Sequence, residues 1–122
     1  MPVILWASVI FYLSGIPGLK SGLQCDFILR KMAHVTEYFI FTLFLYHALG
    51  KTFKFQGIYL SLLLVALVFF YSVSDEVHQL FVSGRYGCLR DVLIDQAGAL
   101  LFLACFHLAP RFPALRHVFP RN

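Results

Sequence analysis

The residues best suited to chemistry in this sequence are acids and their polar neighbours, which recur at helical spacing in three separate segments. Within each segment the polar side chains are three or four residues apart, so a helix would carry them on one face. The three sets are Lys31, His34, Glu37 and Tyr38; Ser72, Asp75, Glu76 and Gln79; and Asp91 and Asp95, with Gly98 following. We therefore expect three helix faces to converge on one polar pocket.

Acid–base catalysis is the first chemistry that such a pocket would support. The imidazole of His34 changes its charge near neutral pH, and a Glu or Asp beside it would form a pair able to take up or release a proton. The alternative is a network of hydrogen bonds that locks the three helices together, because such bonds commonly join membrane helices. We favour the network on general grounds, and whether the protein is an enzyme stays open at this point.

Anion binding is the second chemistry. Arg30, Lys31, Arg85 and Arg90 are all expected at the same membrane depth, and a guanidinium group suits a phosphate. The phosphate group of a lipid would fit such a site. Arg30 and Arg90 are interpreted instead as side chains that reach the membrane surface from the ends of spans, which is the usual behaviour of long cationic residues there.

A metal site is the third chemistry. His34 and Glu37 are one helical turn apart, and three further acids would complete an oxygen-rich ligand set, namely Asp75, Glu76 and Asp91. Lys31 and Arg85 are expected to neutralise these acids already. We therefore predict no metal ion and no other cofactor.

The elements that must position these residues follow from the composition. Of the 122 residues, 60% are hydrophobic and only 13% are charged, and the mean hydropathy is +0.78. Soluble domains are about 45–50% apolar and about 25% charged, so a small soluble fold could not cover this much apolar surface. The net charge of +4 does not indicate nucleic-acid binding, because the basic residues stand at the ends of apolar runs, as in membrane proteins.

Four apolar runs cover approximately residues 3–18, 34–50, 58–74 and 92–109. Each is slightly shorter than the roughly 20 residues that a membrane span needs, and the second and fourth become long enough if their polar ends, 31–38 and 91–95, are helical too. We predict an all-α, integral membrane four-helix bundle over residues 1–110, followed by a short basic tail over 111–122.

The charges also predict the orientation. All six acidic residues fall at one membrane face, whereas the terminal side carries only cations, namely Lys51, Lys54, Arg111, Arg116 and Arg121. Cytoplasmic loops are enriched in Lys and Arg. The other side also carries five cations, but these are interleaved with the acids and are interpreted as serving a site. We predict cytoplasmic termini in a multi-pass protein of the bacterial cytoplasmic membrane, with the polar pocket facing outward.

The order of the polar motifs resembles that of the VanZ-like family of small bacterial membrane proteins. The matching residues are Lys31-x-x-His34-x-x-x-Tyr38, then Asp75-Glu76-x-x-Gln79-x-Phe81-x-x-Gly84-Arg85, then Asp91 with Gly98 seven residues on. This sequence departs from the family pattern at three positions: Asp95 stands where Asn is usual, Ser83 where Pro is frequent, and Phe102 where a second glycine is expected. A carboxylate at position 95 must be paired or protonated, and Phe102 suggests a looser helix contact.

The resemblance implies a cell-envelope protein associated with resistance to the glycopeptide teicoplanin. Because Lys31 and Arg85 lie within the motif, we expect them to hold an anionic lipid or envelope precursor. The catalytic or polar core would be His34, Glu76 and Asp91, and the supporting ligand-binding residues would be Tyr38, Asp75, Gln79 and Asp95. The expected partners are membrane lipids and a further membrane protein. The alternatives are an enzyme acting on a lipid-linked substrate and a non-catalytic subunit of a larger complex.

Three cysteines are too few for a disulfide scaffold. Cys25 and Cys88 fall in the two loops on the pocket side, whereas Cys105 lies within the fourth span. A disulfide between Cys25 and Cys88 is chemically permitted if that side is extracytoplasmic, and we state it as a hypothesis.

Overall fold

The computed structural model describes residues 2–17 and 24–113, and these residues form four helices without any strand. The helices are α1 (Pro2–Ser14), α2 (Asp26–Thr52), α3 (Gly57–Leu80) and α4 (Leu89–Leu108), and a 3₁₀ turn follows over Ala109–Arg111. The prediction of an all-α fold is confirmed. Most of the predicted basic tail, residues 114–122, lies outside the described residues.

The helices α2 and α4 begin earlier than the apolar runs that predicted them. α2 starts at Asp26 and α4 at Leu89, so the polar segments 31–38 and 91–95 are helical, as the span lengths required. The three polar sets consequently lie on the first half of α2, the last turns of α3 and the first turns of α4, which is the same end of an antiparallel bundle.

Within the described residues, two helical segments have the length and the apolar composition of a membrane span. α3, over Gly57–Leu80, and the segment Leu89–Arg111 are long and apolar enough to cross a bilayer. α1 has 13 residues and rises about 20 Å, less than the roughly 30 Å of a hydrocarbon core. α2 has 27 residues, but its first half carries most of its charges.

The outer surface of the bundle is apolar along its length. Large hydrophobic side chains on every helix are exposed, among them Leu5, Leu62, Phe70, Leu93 and Leu100. A soluble monomer rarely leaves so many in contact with water. Such a surface is compatible with a hydrocarbon solvent.

The helices α2 and α4 cross at Gly98. A Cβ atom built there would lie 2.5 Å from the carbonyl oxygen of Val35 and 3.1 Å from the amide nitrogen of Phe39, so only glycine permits this approach. One turn further along α4, Phe102 is fully buried, and its ring lies 5.6 Å from that of Phe39. The aromatic side chain fills the space that the expected glycine would leave.

Two hydrogen bonds between a side chain and a backbone carbonyl group attach α1 to its neighbours, one to α2 and one to α3. The indole Nε1 of Trp6 donates to the carbonyl oxygen of Glu37 at 2.9 Å, and the hydroxyl of Tyr71 donates to the carbonyl oxygen of Ala7 at 2.6 Å. These bonds place the end of α1 beside the polar residues of the other helices.

Candidate functional site

The polar faces of α2, α3 and α4 meet in one group, which we call the polar cluster. It consists of Lys31, His34, Tyr38, Ser72, Asp75, Glu76, Gln79, Asp91 and Asp95. Three of its acids, Asp75, Glu76 and Asp95, are only 3%, 6% and 0% exposed. Burial of this much charge requires specific partners, which the contacts of each acid identify.

Asp95 connects all three helices. Its Oδ1 lies 2.9 Å from Nδ1 of His34 on α2, and its Oδ2 accepts a hydrogen bond of 2.5 Å from the hydroxyl of Ser72 on α3. An ionised carboxylate can only accept, so Nδ1 of His34 is the donor to it. Asp95, one of the positions at which this sequence departs from the expected motif, is therefore paired with both His34 and Ser72.

Asp91 is paired with a cation across the α2–α4 contact. Its Oδ1 forms an ion pair with Nζ of Lys31. The two side chains are 13% and 24% exposed, so this pair lies nearer the surface than the contact between His34 and Asp95. The opposite charges of Lys31 and Asp91 therefore compensate each other.

Asp75 has weaker partners. Its Oδ2 accepts long hydrogen bonds from the hydroxyl of Tyr38, at 3.5 Å, and from Nε2 of Gln79, at 3.4 Å. Its Oδ1 has no hydrogen-bond partner among the described residues. Asp75 therefore keeps an oxygen that is able to accept a hydrogen bond.

Glu76 holds the beginning of α4. Its Oε2 accepts a 2.9 Å hydrogen bond from the backbone N–H of Cys88, the residue that precedes α4. The N–H groups at a helix start have no partner within the helix, and a carboxylate satisfies one of them. The other oxygen, Oε1, is buried without a hydrogen-bond partner in the described structure.

Arg85 binds the end of α1. Its Nε donates to the carbonyl oxygen of Ile16 at 3.1 Å, and its Nη2 donates to that of Leu13 at 3.0 Å. Carbonyl groups at a helix end lack partners within the helix, and a cation there is favourable. The preceding Gly84 has φ +77°, a conformation that glycine adopts without strain.

A cleft of about 70 Å³ opens between α1, α2 and α3 beside the polar cluster. It is lined by Leu13, Ser14, Arg30, Ala33, His34, Glu37, Asp75, Gln79 and Arg85. Arg30 lies at its exposed margin and pairs with Asp26 at 3.1 Å. The cleft brings two guanidinium groups and two carboxylates to one small space.

The contribution of α1 to this cleft is absent from the sequence-based expectations. Ser14 lines the cleft, and its hydroxyl lies 3.2 Å from Nδ1 of His78. The ring of Phe11 stacks on that of His78 at 4.0 Å. The only sequence signal was a serine at the end of an apolar run, which by itself indicates nothing about its neighbours.

A second cavity, of about 330 Å³, lies at the other end of the bundle. Its walls include Tyr46, Leu60, Leu64, Leu103 and Phe106. This cavity is larger but mostly hydrophobic, and it contains none of the acids. The polar cluster and the cleft beside it therefore form the candidate functional site.

The residues that could hold a metal differ from the predicted set. A ring nitrogen of His34 and one carboxylate oxygen each of Glu76 and Asp95 lie within 4.8 Å of one another. Of the two cations predicted to neutralise the acids, Lys31 pairs with one acid of that set, Asp91, whereas Arg85 donates to backbone carbonyl groups. Cys25 and Cys88, proposed as a disulfide, are free and exposed.

Comparisons with known proteins agree with the resemblance. The chain is 32% identical over 112 residues to the uncharacterized membrane protein YwnJ of Bacillus subtilis (strain 168). This match covers 85% of the present chain and 73% of YwnJ. No solved structure matches the chain. The model of the VanZ/LLP1 family matches residues 1–110. The chain therefore belongs to the VanZ/LLP1 family.

Proposed function

We propose that this chain is a multi-pass protein of the bacterial cytoplasmic membrane that binds the anionic headgroup of a lipid or cell-wall precursor in the cleft. The observation that carries the proposal is the lining of the cleft, where Arg30 and Arg85 stand beside Glu37 and Asp75. Guanidinium groups bind phosphate with charge-assisted hydrogen bonds, and carboxylates accept hydrogen bonds from sugar hydroxyls. A headgroup that carries both phosphate and hydroxyls matches this lining.

Within this proposal Arg30 takes the part that the sequence assigned to Lys31. Lys31 is paired with Asp91 and does not line the cleft. Arg30 lies at the margin of the cleft, its side chain 45% exposed, where an incoming headgroup would meet it first. Arg85 also lines the cleft while it holds the end of α1.

Membership of the family supports a role in the cell envelope. We propose that headgroup binding at the cleft is how the protein would contribute to glycopeptide resistance, because an envelope precursor is both an anionic lipid and the material from which the cell wall is built. The proposed orientation has cytoplasmic termini, which places the cleft at the outer leaflet.

Replacing Arg30 tests the headgroup site. Native mass spectrometry of the detergent-purified protein should show retained anionic lipid, and Arg30→Gln should reduce the retained fraction by about tenfold, because a charge-assisted hydrogen bond contributes roughly 1.5–3 kcal/mol. Arg90→Gln is the matched control, since Arg90 is exposed near the same end and does not line the cleft. Equal retention in Arg30→Gln and the wild type would contradict the proposal, and so would equal loss in both variants.

Labelling at Cys88 tests the orientation. Cys88 is exposed and lies at the same end of the bundle as the polar cluster. In a variant that retains only this cysteine, a membrane-impermeant maleimide added to intact spheroplasts should label it. Labelling only after the membrane is opened would place the polar cluster on the cytoplasmic side and reverse the proposed orientation.

An enzyme acting on a lipid-linked substrate is a second candidate, favoured by one contact. The 2.9 Å contact between His34 and Asp95 orients an imidazole beside the cleft, as general acid–base catalysis requires. Turnover that is lost in His34→Ala, with the fold intact, would support this function.

A further inference from the structure

The acids at the centre of the polar cluster have no Lys or Arg partner among the described residues, and His34 is the one ionisable base that contacts Asp95. Glu76 and Asp95 are almost completely buried, and neither forms an ion pair with Lys or Arg among the described residues. Lys31 is engaged by Asp91, and Arg85 by carbonyl groups of α1. Two buried carboxylates that are both ionised call for a compensating charge of +2, of which a protonated His34 beside Asp95 would supply only one.

The geometry of the same residues fits a metal ion. One ring nitrogen of His34 and one oxygen each of Glu76 and Asp95 lie within 4.8 Å of one another. A tetrahedral ion with bonds of about 2.0–2.2 Å holds its ligand atoms roughly 3.4 Å apart. Side-chain rotations that bring these three atoms closer together by little more than an ångström would therefore be sufficient. The three ligands come from three helices, whose backbones hold them in place.

An independent observation points to a missing ligand. Oε1 of Glu76 is buried and has no hydrogen-bond partner among the described residues, although Oε2 of the same carboxylate is held by the N–H of Cys88. A buried carboxylate oxygen without a partner costs free energy. A metal bond at this carboxylate would recover that cost.

We propose that His34, Glu76 and Asp95 bind one divalent transition-metal ion, for which zinc is the best match. A ligand set of one imidazole and two carboxylates suits zinc, and the charge of the ion equals that of the two acids. Three protein ligands leave a fourth position for water or a ligand oxygen, as in catalytic zinc sites. This site goes beyond the proposed function, because neither Glu76 nor Asp95 lines the cleft.

Metal titration of the tag-free protein in detergent tests the site. After dialysis against zinc, the wild type should retain one ion per chain by elemental analysis, and cobalt should give the visible absorption of a tetrahedral complex. Glu76→Gln and Asp95→Asn should each weaken binding by about a hundredfold or more, because even indirect contacts to metal ligands change affinity by about 10–100-fold. Both amides keep an oxygen for the N–H of Cys88 or the hydroxyl of Ser72, which favours folding.

Asp75→Asn is the matched control, since Asp75 is equally buried and adjoins Glu76 but is not one of the three ligands. It should bind zinc within a few-fold of the wild type. The site is refuted if the wild type retains no zinc, if Glu76→Gln and Asp95→Asn both bind it as the wild type does, or if Asp75→Asn loses as much. Melting temperatures in a chelator verify that each variant is folded, and Arg30→Gln, which tests headgroup binding, should leave zinc binding unchanged.

Discussion

Asp95→Ala should lower the free energy of unfolding by about 3–5 kcal/mol, the usual cost of removing one partner from a buried charged pair. The substitution leaves the imidazole of His34 and the hydroxyl of Ser72 without their common acceptor. It also opens a cavity at a position that is 0% exposed. Thermal and denaturant unfolding in one detergent, with a chelator present, would measure the loss without any contribution from metal.

Asp95→Asn is the control for this prediction. Asn keeps one oxygen as an acceptor and nearly the same volume, so we expect a loss of only about 1 kcal/mol, the typical net contribution of one hydrogen bond. Interhelical hydrogen bonds in membrane proteins average about 0.6 kcal/mol. If Asp95→Ala lowered the free energy of unfolding by no more than about 1 kcal/mol, Asp95 would contribute no more than an ordinary interhelical hydrogen bond and would not be the centre of the polar cluster.

Gly98→Ala should destabilise the bundle by about 1–3 kcal/mol, the range found when atoms are added to a packed interior. The new Cβ would lie 2.5 Å from the carbonyl oxygen of Val35 and 3.1 Å from the amide nitrogen of Phe39. Both are backbone atoms, which cannot move aside as a flexible side chain would. Relief requires that α2 and α4 separate, and this would disturb the neighbouring contact between His34 and Asp95.

Gly50→Ala provides the matched comparison. Gly50 is also helical, but a Cβ there would approach nothing nearer than Cδ2 of Leu60 at 4.0 Å. Because alanine favours helices by up to about 1 kcal/mol over glycine, this variant should be as stable as the wild type or slightly more so. The free energies of unfolding of both variants should be measured under identical conditions. If Gly98→Ala were as stable as Gly50→Ala, the crossing of α2 and α4 would tolerate a side chain at position 98.

The positions of the helices and the gathering of the polar residues at one end of the bundle were predictable because both depend on local pattern. Apolar runs of nearly span length identified four helices, and the spacing of residues such as His34 and Tyr38 identified the face that each helix turns inward. The length that a span needs extended the second helix back to position 31, whereas the structure begins it five residues earlier, at Asp26. These features repeat every three or four residues and can be read within one segment.

The identity of each partner was not predictable in the same way. Lys31 and Arg85 were expected to share an anion, yet one binds Asp91 and the other binds carbonyl groups at the end of α1. Arg30 was interpreted as a surface residue and is exposed, at 45%, but the sequence did not indicate that it also lines the cleft. The spacing of residues along α2 cannot indicate which residue of another helix each side chain will reach.

Helices with polar faces gathered at one end could be predicted from the sequence alone, because helical periodicity and the distribution of charge are local properties. The packing of the helices against one another was needed to show which acids are paired, which keep an oxygen without a partner among the described residues, and which three side chains come within 4.8 Å of one another. Those outcomes depend on how far each helix is rotated and how closely it approaches its neighbours. At Gly98 that approach is set by the absence of a single Cβ atom.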